Sequence, residues 1–111
     1  MSLHLPLDNS TKNIMNEQRL QMLKSSAVLI NLARGSLIDE AILKKMLLEK
    51  RIAGAALDVF EVEPPIDKEL LTMDNVLITP HIAGSTEEAI LAMGVAAIDG
   101  LDNAKDPLEF I

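Results

Sequence analysis

Apolar residues along this chain come in short unbroken runs, and the stretches between those runs have helical spacing. Ala27-Val28-Leu29-Ile30-Asn31-Leu32 is interrupted only by Asn31, and Ile52 to Val59 and Val76-Leu77-Ile78-Thr79 read the same way. The first lacks period-two alternation, so it predicts a strand covered on both faces, as in a parallel sheet; Ile52 to Val59 predicts the next buried strand, and Val76 to Thr79 a further strand ended by Pro80. Ser2-Leu3-His4-Leu5 predicts a further short strand, stopped by Pro6. Asn16 predicts the N-cap of a helix reaching about Lys24, with Leu20 and Leu23 on one face. Asp39 predicts the cap of a second helix whose apolar face is Ile42, Leu43, Met46 and Leu47. Lys50 and Arg51 stand at its C-terminal end, where the helix dipole favours cations. A short helix is expected around Lys68 to Met73. Ser85 and Glu88 form an S-x-x-E box predicting the start of a long last helix, whose stripe includes Ile90, Ala97 and Leu101. Met15, Met22, Met46, Met73 and Met93 predict core filler. Gly35 predicts a tight turn, and the small residues Ala53-Gly54-Ala55-Ala56 predict a helix lying close to the sheet.

The alternation of strand and helix predicts an α/β fold with right-handed crossovers. The expected architecture is a partial Rossmann, or doubly wound, domain of about four mainly parallel strands flanked by helices, in one domain over 1–111. Three polar residues stand just past the ends of apolar runs: Arg34, Glu63 and His81. If the runs are parallel strands, all three lie at the edge where open α/β sheets bind ligands. A cation, a carboxylate and an imidazole together suit the binding of an anionic substrate and the movement of a proton.

Composition narrows the partners. The 49% hydrophobic content suits a buried sheet, and the net charge of -7 argues against nucleic acid and against anionic membranes. The chain has no cysteine, which excludes disulfides and thiolate metal sites; no metal is expected, and a cytoplasmic setting fits. No apolar run is long enough to span a membrane, and no signal peptide is evident. An aromatic content of 2% gives little support for base stacking.

Four stretches carry a family resemblance. They are His4-Leu5-Pro6-Leu7 with Thr11; Leu29-Ile30-Asn31-Leu32-Ala33-Arg34-Gly35-Ser36-Leu37-Ile38-Asp39-Glu40; Gly54-Ala55-Ala56-Leu57-Asp58-Val59-Phe60-Glu61-Val62-Glu63-Pro64; and Thr79-Pro80-His81-Ile82-Ala83-Gly84-Ser85-Thr86. In this order and spacing they resemble the C-terminal part of the nucleotide-binding domain of NAD-dependent D-isomer-specific 2-hydroxyacid dehydrogenases, phosphoglycerate dehydrogenase among them. The resemblance implies that Arg34 takes the substrate carboxylate and neighbouring carbonyl oxygen, a task suited to the planar guanidinium fork. It implies that His81 is the acid/base as hydride passes between C2 and nicotinamide. Glu63 would orient the imidazole and stabilise its charged form. Asp58 would contact the nicotinamide carboxamide. Leu5, Pro6, Thr11, Ala33, Ala83 and Gly84, with Arg34 and His81, would complete the cofactor wall. The implied substrate is a small 2-hydroxy or 2-oxo acid: 3-phosphoglycerate, hydroxypyruvate or glyoxylate, or a D-lactate-type acid.

The chain departs from the family pattern in lacking a G-x-G-x-x-G turn, the acidic residue that follows it, and a substrate domain. That turn receives the pyrophosphate at a helix N-terminus. The expectation is therefore a dehydrogenase fragment that is inactive alone and binds NAD weakly or not at all. A non-enzymatic α/β interaction module and one half of a split dehydrogenase are the alternatives. The segment from Asp102 to Ile111 resembles the stretch returning toward the other domain. A homodimer or larger assembly is expected, because Leu3-His4-Leu5 would present an open sheet edge.

Overall fold

The computed structural model describes residues 1–104 of the chain. Four short strands form one sheet: β1 (Ser2–Leu3), β2 (Val28–Asn31), β3 (Gly54–Leu57) and β4 (Val76–Ile78). They lie in the order β1-β2-β3-β4, and every neighbouring pair is parallel. Among the described residues, four α-helices alternate with them: α1 (Glu17–Gln21), α2 (Glu40–Leu48), α3 (Lys68–Leu71) and α4 (Glu87–Asp102). The chain divides into two compact units, Met1–His81 and Ile82–Ile111. The first holds the sheet and α1 to α3; the second holds α4.

The helices of the first unit begin where the sequence supplies a cap. Asn16 accepts from the Arg19 N–H, Asp39 from the Ile42 N–H, and Asp67 from the Glu69 and Leu70 N–H groups. Each bond satisfies a donor that a helix start leaves without an intrahelical partner. Leu20 of α1, Leu43, Met46 and Leu47 of α2, and Leu70 of α3 then bury against Leu3, Leu29, Ala55 and Leu57 of the sheet. Burying a side chain of that size stabilises the fold by about 2 kcal/mol. Lys44 ties α2 to the start of α3 through Asp67 (2.7 Å) and Glu69 (2.8 Å).

Several expectations are corrected. Each strand is shorter than its apolar run, and Leu5 lies beyond β1. Burial alternates along β2, with Leu29 and Asn31 inside and Val28 exposed, so β2 is not covered on both faces. The helices supplied by the connections between strands bury the inward row. The small Gly54 admits backbone rather than a helix, because a Cβ there would stand 2.7 Å from the Asn75 carbonyl oxygen. The last helix is capped by Thr86, which accepts from the Ala89 N–H, so Ser85 and Glu88 form no capping box. Ile90 and Leu101 are exposed, and α4 buries none of its residues. Met15 and Met46 are core residues, but Met22 and Met93 are exposed. Among the described residues, no helix is long and apolar enough to cross a membrane. The expectation for Asp102 to Ile111 lies largely outside the described residues.

Candidate active site

Because the strands are parallel, everything that follows a strand emerges at one edge of the sheet. Leu5, Pro6 and Thr11 follow β1; Ala33 and Arg34 follow β2; Asp58 and Glu63 follow β3; His81 follows β4. The register pairs Asn31 with Leu57 and Leu57 with Ile78, so these strands end level with one another.

The turn after β2 is built by Asn31. Its side chain is buried, its amide donates to the Arg34 carbonyl (2.9 Å), and its oxygen accepts from the Ala33 N–H (3.1 Å). The polar interruption in an otherwise apolar run thus satisfies the backbone where the strand ends. Arg34 follows in extended conformation, exposed, with Nη1 donating to the Ala33 carbonyl (2.6 Å). Gly35 then presses on the next loop. A Cβ on it would stand 1.9 Å from the Phe60 carbonyl carbon and 2.0 Å from its oxygen. Gly35 opens the tight turn expected of it, a 3-10 turn over Gly35–Leu37, without a positive φ, and its lack of a side chain also permits the close approach to Phe60.

Glu63 and His81 meet directly. Glu63 Oε2 lies 2.7 Å from His81 Nδ1, and Glu63 Oε1 accepts from the Phe60 N–H at 3.0 Å. When the ring is neutral with its proton on Nδ1, it donates to Glu63 and leaves the Nε2 lone pair free. The bond from His81, seconded by the Phe60 N–H, holds the Glu63 carboxyl below its ordinary value, against the opposing effects of burial and of the Asp58 charge. His81 has a φ of 55°, an uncommon conformation for a residue other than glycine. Both partners are part-exposed, with side-chain accessibilities of 38% for Glu63 and 51% for His81.

Asp58 is buried and accepts from the Thr79 hydroxyl. With Phe60, Glu63, Ile78, Pro80 and His81 it helps to line a pocket of about 250 Å³. Arg34 shares the sheet edge but does not line that pocket. At the far side of the sheet, Thr11 donates to the Pro6 carbonyl (2.7 Å) and accepts from the Asp8 N–H (2.8 Å), closing the loop after β1. Ala83 and Gly84 belong to the second unit. The sequence by itself does not assign these parts to Asn31, Thr79 or the close approach of Gly35. Asn31 and Thr79 carry a signal, a polar residue late in an apolar run; the close approach of Gly35 carries none.

The family model "D-isomer specific 2-hydroxyacid dehydrogenase, NAD binding domain" matches residues 1–83. A D-3-phosphoglycerate dehydrogenase of Methanocaldococcus jannaschii is 50% identical over 94 residues, 85% of this chain and 18% of the relative. A glyoxylate reductase of Pyrococcus furiosus is 50% identical over 91 residues, 82% of this chain and 27% of the relative. Among solved structures, a glyoxylate reductase from Paecilomyes thermophila superposes with a TM-score of 0.87 at 37% identity, covering 93% of this chain and 31% of that one. The NAD-complexed D-isomer specific 2-hydroxyacid dehydrogenase from Lactobacillus delbrueckii ssp. bulgaricus gives 0.77 at 41% identity, over 96% and 38%. The chain spans between 18% and 33% of the length of the first curated relatives that it matches.

Proposed function

This chain belongs to the D-isomer-specific 2-hydroxyacid dehydrogenase family, and we propose that it supplies the acid/base and anion-binding residues of such an enzyme. The reaction proposed for the whole protein interconverts a small D-2-hydroxy acid and its 2-oxo acid, with glyoxylate, hydroxypyruvate or a phosphorylated relative as substrate. The single observation that carries this reading is the Glu63–His81 contact at the ligand-binding edge of the sheet.

His81 acts as the acid/base through Nε2. It takes the C2 hydroxyl proton in oxidation and returns it to the carbonyl oxygen in reduction, while Glu63 holds the ring and stabilises its charged form. Arg34 lies two strand positions away, roughly 10 Å at the usual strand spacing. Its guanidinium and a small acid bridge that span, with the acid's carboxylate on Arg34 and its hydroxyl toward His81.

NAD supplies the hydride acceptor and donor when bound. The residues present suit its nicotinamide end: the buried Asp58 carboxylate is an acceptor for a carboxamide N–H, beside the apolar Ile78 and Pro80. They do not suit its pyrophosphate, because the five glycines at 35, 54, 84, 94 and 100 form no G-x-G-x-x-G. We therefore propose that these 111 residues alone bind NAD weakly and turn over no 2-hydroxy acid. We further propose that they self-associate through the open edge at β1, a template for further pairing.

Calorimetry with NADH, an absorbance assay with glyoxylate and hydroxypyruvate, and sedimentation over a concentration series test the three parts. The expected results are weak or undetectable heat, no turnover, and a mass that grows with concentration. Clear turnover by the purified chain overturns the inactivity, and a persistent monomer overturns the association. In the full-length protein, Arg34→Gln raises KM and His81→Ala lowers kcat, and the reverse pattern overturns the roles.

A further inference from the structure

The loop that carries Glu63 is held from an unexpected quarter. Glu40, in the first turn of α2, accepts the Glu61 N–H through Oε2 at 3.1 Å. The peptide that donates this bond is also the one Gly35 presses on, for a Cβ at Gly35 would stand 2.4 Å from the Glu61 nitrogen. On the other side of Phe60, its own N–H donates to Glu63 Oε1 (3.0 Å), and Glu63 Oε2 meets His81 (2.7 Å). The result is a continuous line of contacts from α2 through Glu61 and Phe60 to Glu63 and then His81.

We infer that Glu40 is a positioning residue for the Glu63–His81 pair, acting through the peptide between Phe60 and Glu61. What the pair does rests on the dehydrogenase reading above; how it is held does not. The first turn of α2 is a favourable place for a carboxylate, because the dipole there attracts negative charge. The helix is fixed by Leu43, Met46 and Leu47 in the core, so Glu40 is anchored where the loop is not: Glu61, Val62, Glu63 and Pro64 are all exposed. Gly35 limits how near the Phe60–Glu61 peptide can come, and Glu40 limits how far it can go. Together they set the direction of the Phe60 N–H, and with it one oxygen of Glu63. The other oxygen is left to face the imidazole. What matters in this arrangement is an acceptor atom at the right distance, not a negative charge.

That distinction gives the test. The 111-residue chain contains two histidines, so the ring signals of His81 are separable from those of His4 by NMR. Glu40→Gln keeps an acceptor oxygen at full side-chain length, whereas Glu40→Asp keeps the charge and withdraws the acceptor by one methylene. Glu40→Ala removes both. In Glu40→Ala and Glu40→Asp the Glu61 amide is expected to exchange roughly tenfold faster, the scale of one lost hydrogen bond. In the same two variants the His81 Nδ1 resonance moves toward that of a Glu63→Ala reference, and the Glu63 carboxyl titrates closer to its ordinary value. Glu40→Gln behaves as the wild type in all three measurements. Lys44→Ala, which removes ion pairs on the same helix, leaves all three unchanged.

If Glu40→Asp matches the wild type while Glu40→Gln matches Glu40→Ala, the effect is one of charge and the inference is wrong. It is equally wrong if the Glu61 amide speeds up while Glu63 and His81 do not respond. Should Glu40→Ala fail to fold, the Gln and Asp pair still decides. None of these measurements uses substrate or NADH, so their failure is separate from a failure of the turnover assay.

Discussion

Two turns at the same edge of the sheet, each reaching a candidate site residue three positions past a strand, are held in opposite ways. The turn of Arg34 is fixed by the main chain and its supports: the buried Asn31 bonds both Ala33 and Arg34, and Gly35 abuts the backbone of Phe60. The Arg34 backbone is extended and unstrained. The turn of His81 has a positive φ, and its half-exposed ring is held by the bond to Glu63. The difference matches what each residue is proposed to do. A guanidinium that receives a carboxylate works from a fixed base with a long side chain. An imidazole that shuttles a proton works through its partner, and the partner therefore does the positioning.

The largest expected break in this comparison is Gly35→Ala. Its Cβ would overlap backbone atoms that cannot swing aside as a side chain can. We expect a loss of about 3 kcal/mol or more, on the scale of severe overpacking. Urea unfolding reads the loss, and heteronuclear spectra are expected to shift around both Arg34 and Glu63. A shift confined to the Arg34 turn would mean that the two turns are not joined through Phe60.

Asn31→Ala is expected to act on one turn only. It removes two hydrogen bonds and leaves the Ala33 N–H and the Arg34 carbonyl without them, for a cost of about 2 kcal/mol. The same unfolding experiment measures it. The Glu63–His81 bond is expected to survive, seen as an unchanged His81 Nδ1 resonance.

Acid gives the smallest effect and the sharpest view of the second turn. The Glu63 carboxyl lies below its ordinary value of 4.5, so its contribution is complete above that pH and is lost as the pH falls through the folded-state value. Asp67, held down first by its bond from Lys44, and Asp8, held down first by the Ser10 hydroxyl, have the same sign. Stability is therefore expected to decline below about pH 4.5. Glu63→Gln is expected to flatten that decline slightly, because both groups of the pair are part-exposed and solvent screens them. An identical acid slope in the variant would show that the bond to His81 contributes nothing to the fold.

Much of the architecture was legible in the chain because it depends on local chemistry. Asn16 and Asp39 cap helices wherever a helix follows them, and Ile42 to Leu47 present one apolar face at helical spacing. Four apolar runs separated by helices leave a parallel sheet as the short solution, and parallel strands place Arg34, Glu63 and His81 at one edge. The cap at Ser85 failed for a local reason too: Thr86, one residue on, offers an equivalent oxygen, and spacing alone does not choose between them.

Composition and order thus determined the strands, the main helices, the sheet edge where Arg34, Glu63 and His81 lie and the residue types gathered there. Tertiary structure decided everything that depends on two segments distant in sequence coming within contact. It made Gly35, already a turn residue, a surface for Phe60 as well, and gave Glu40 a partner 21 positions away. It also joined Glu63 to His81 across 18. The physical reason is range: capping and amphipathic periodicity act within a few residues, whereas the distance between a carboxylate and an imidazole on different loops is set by how the core beneath them packs.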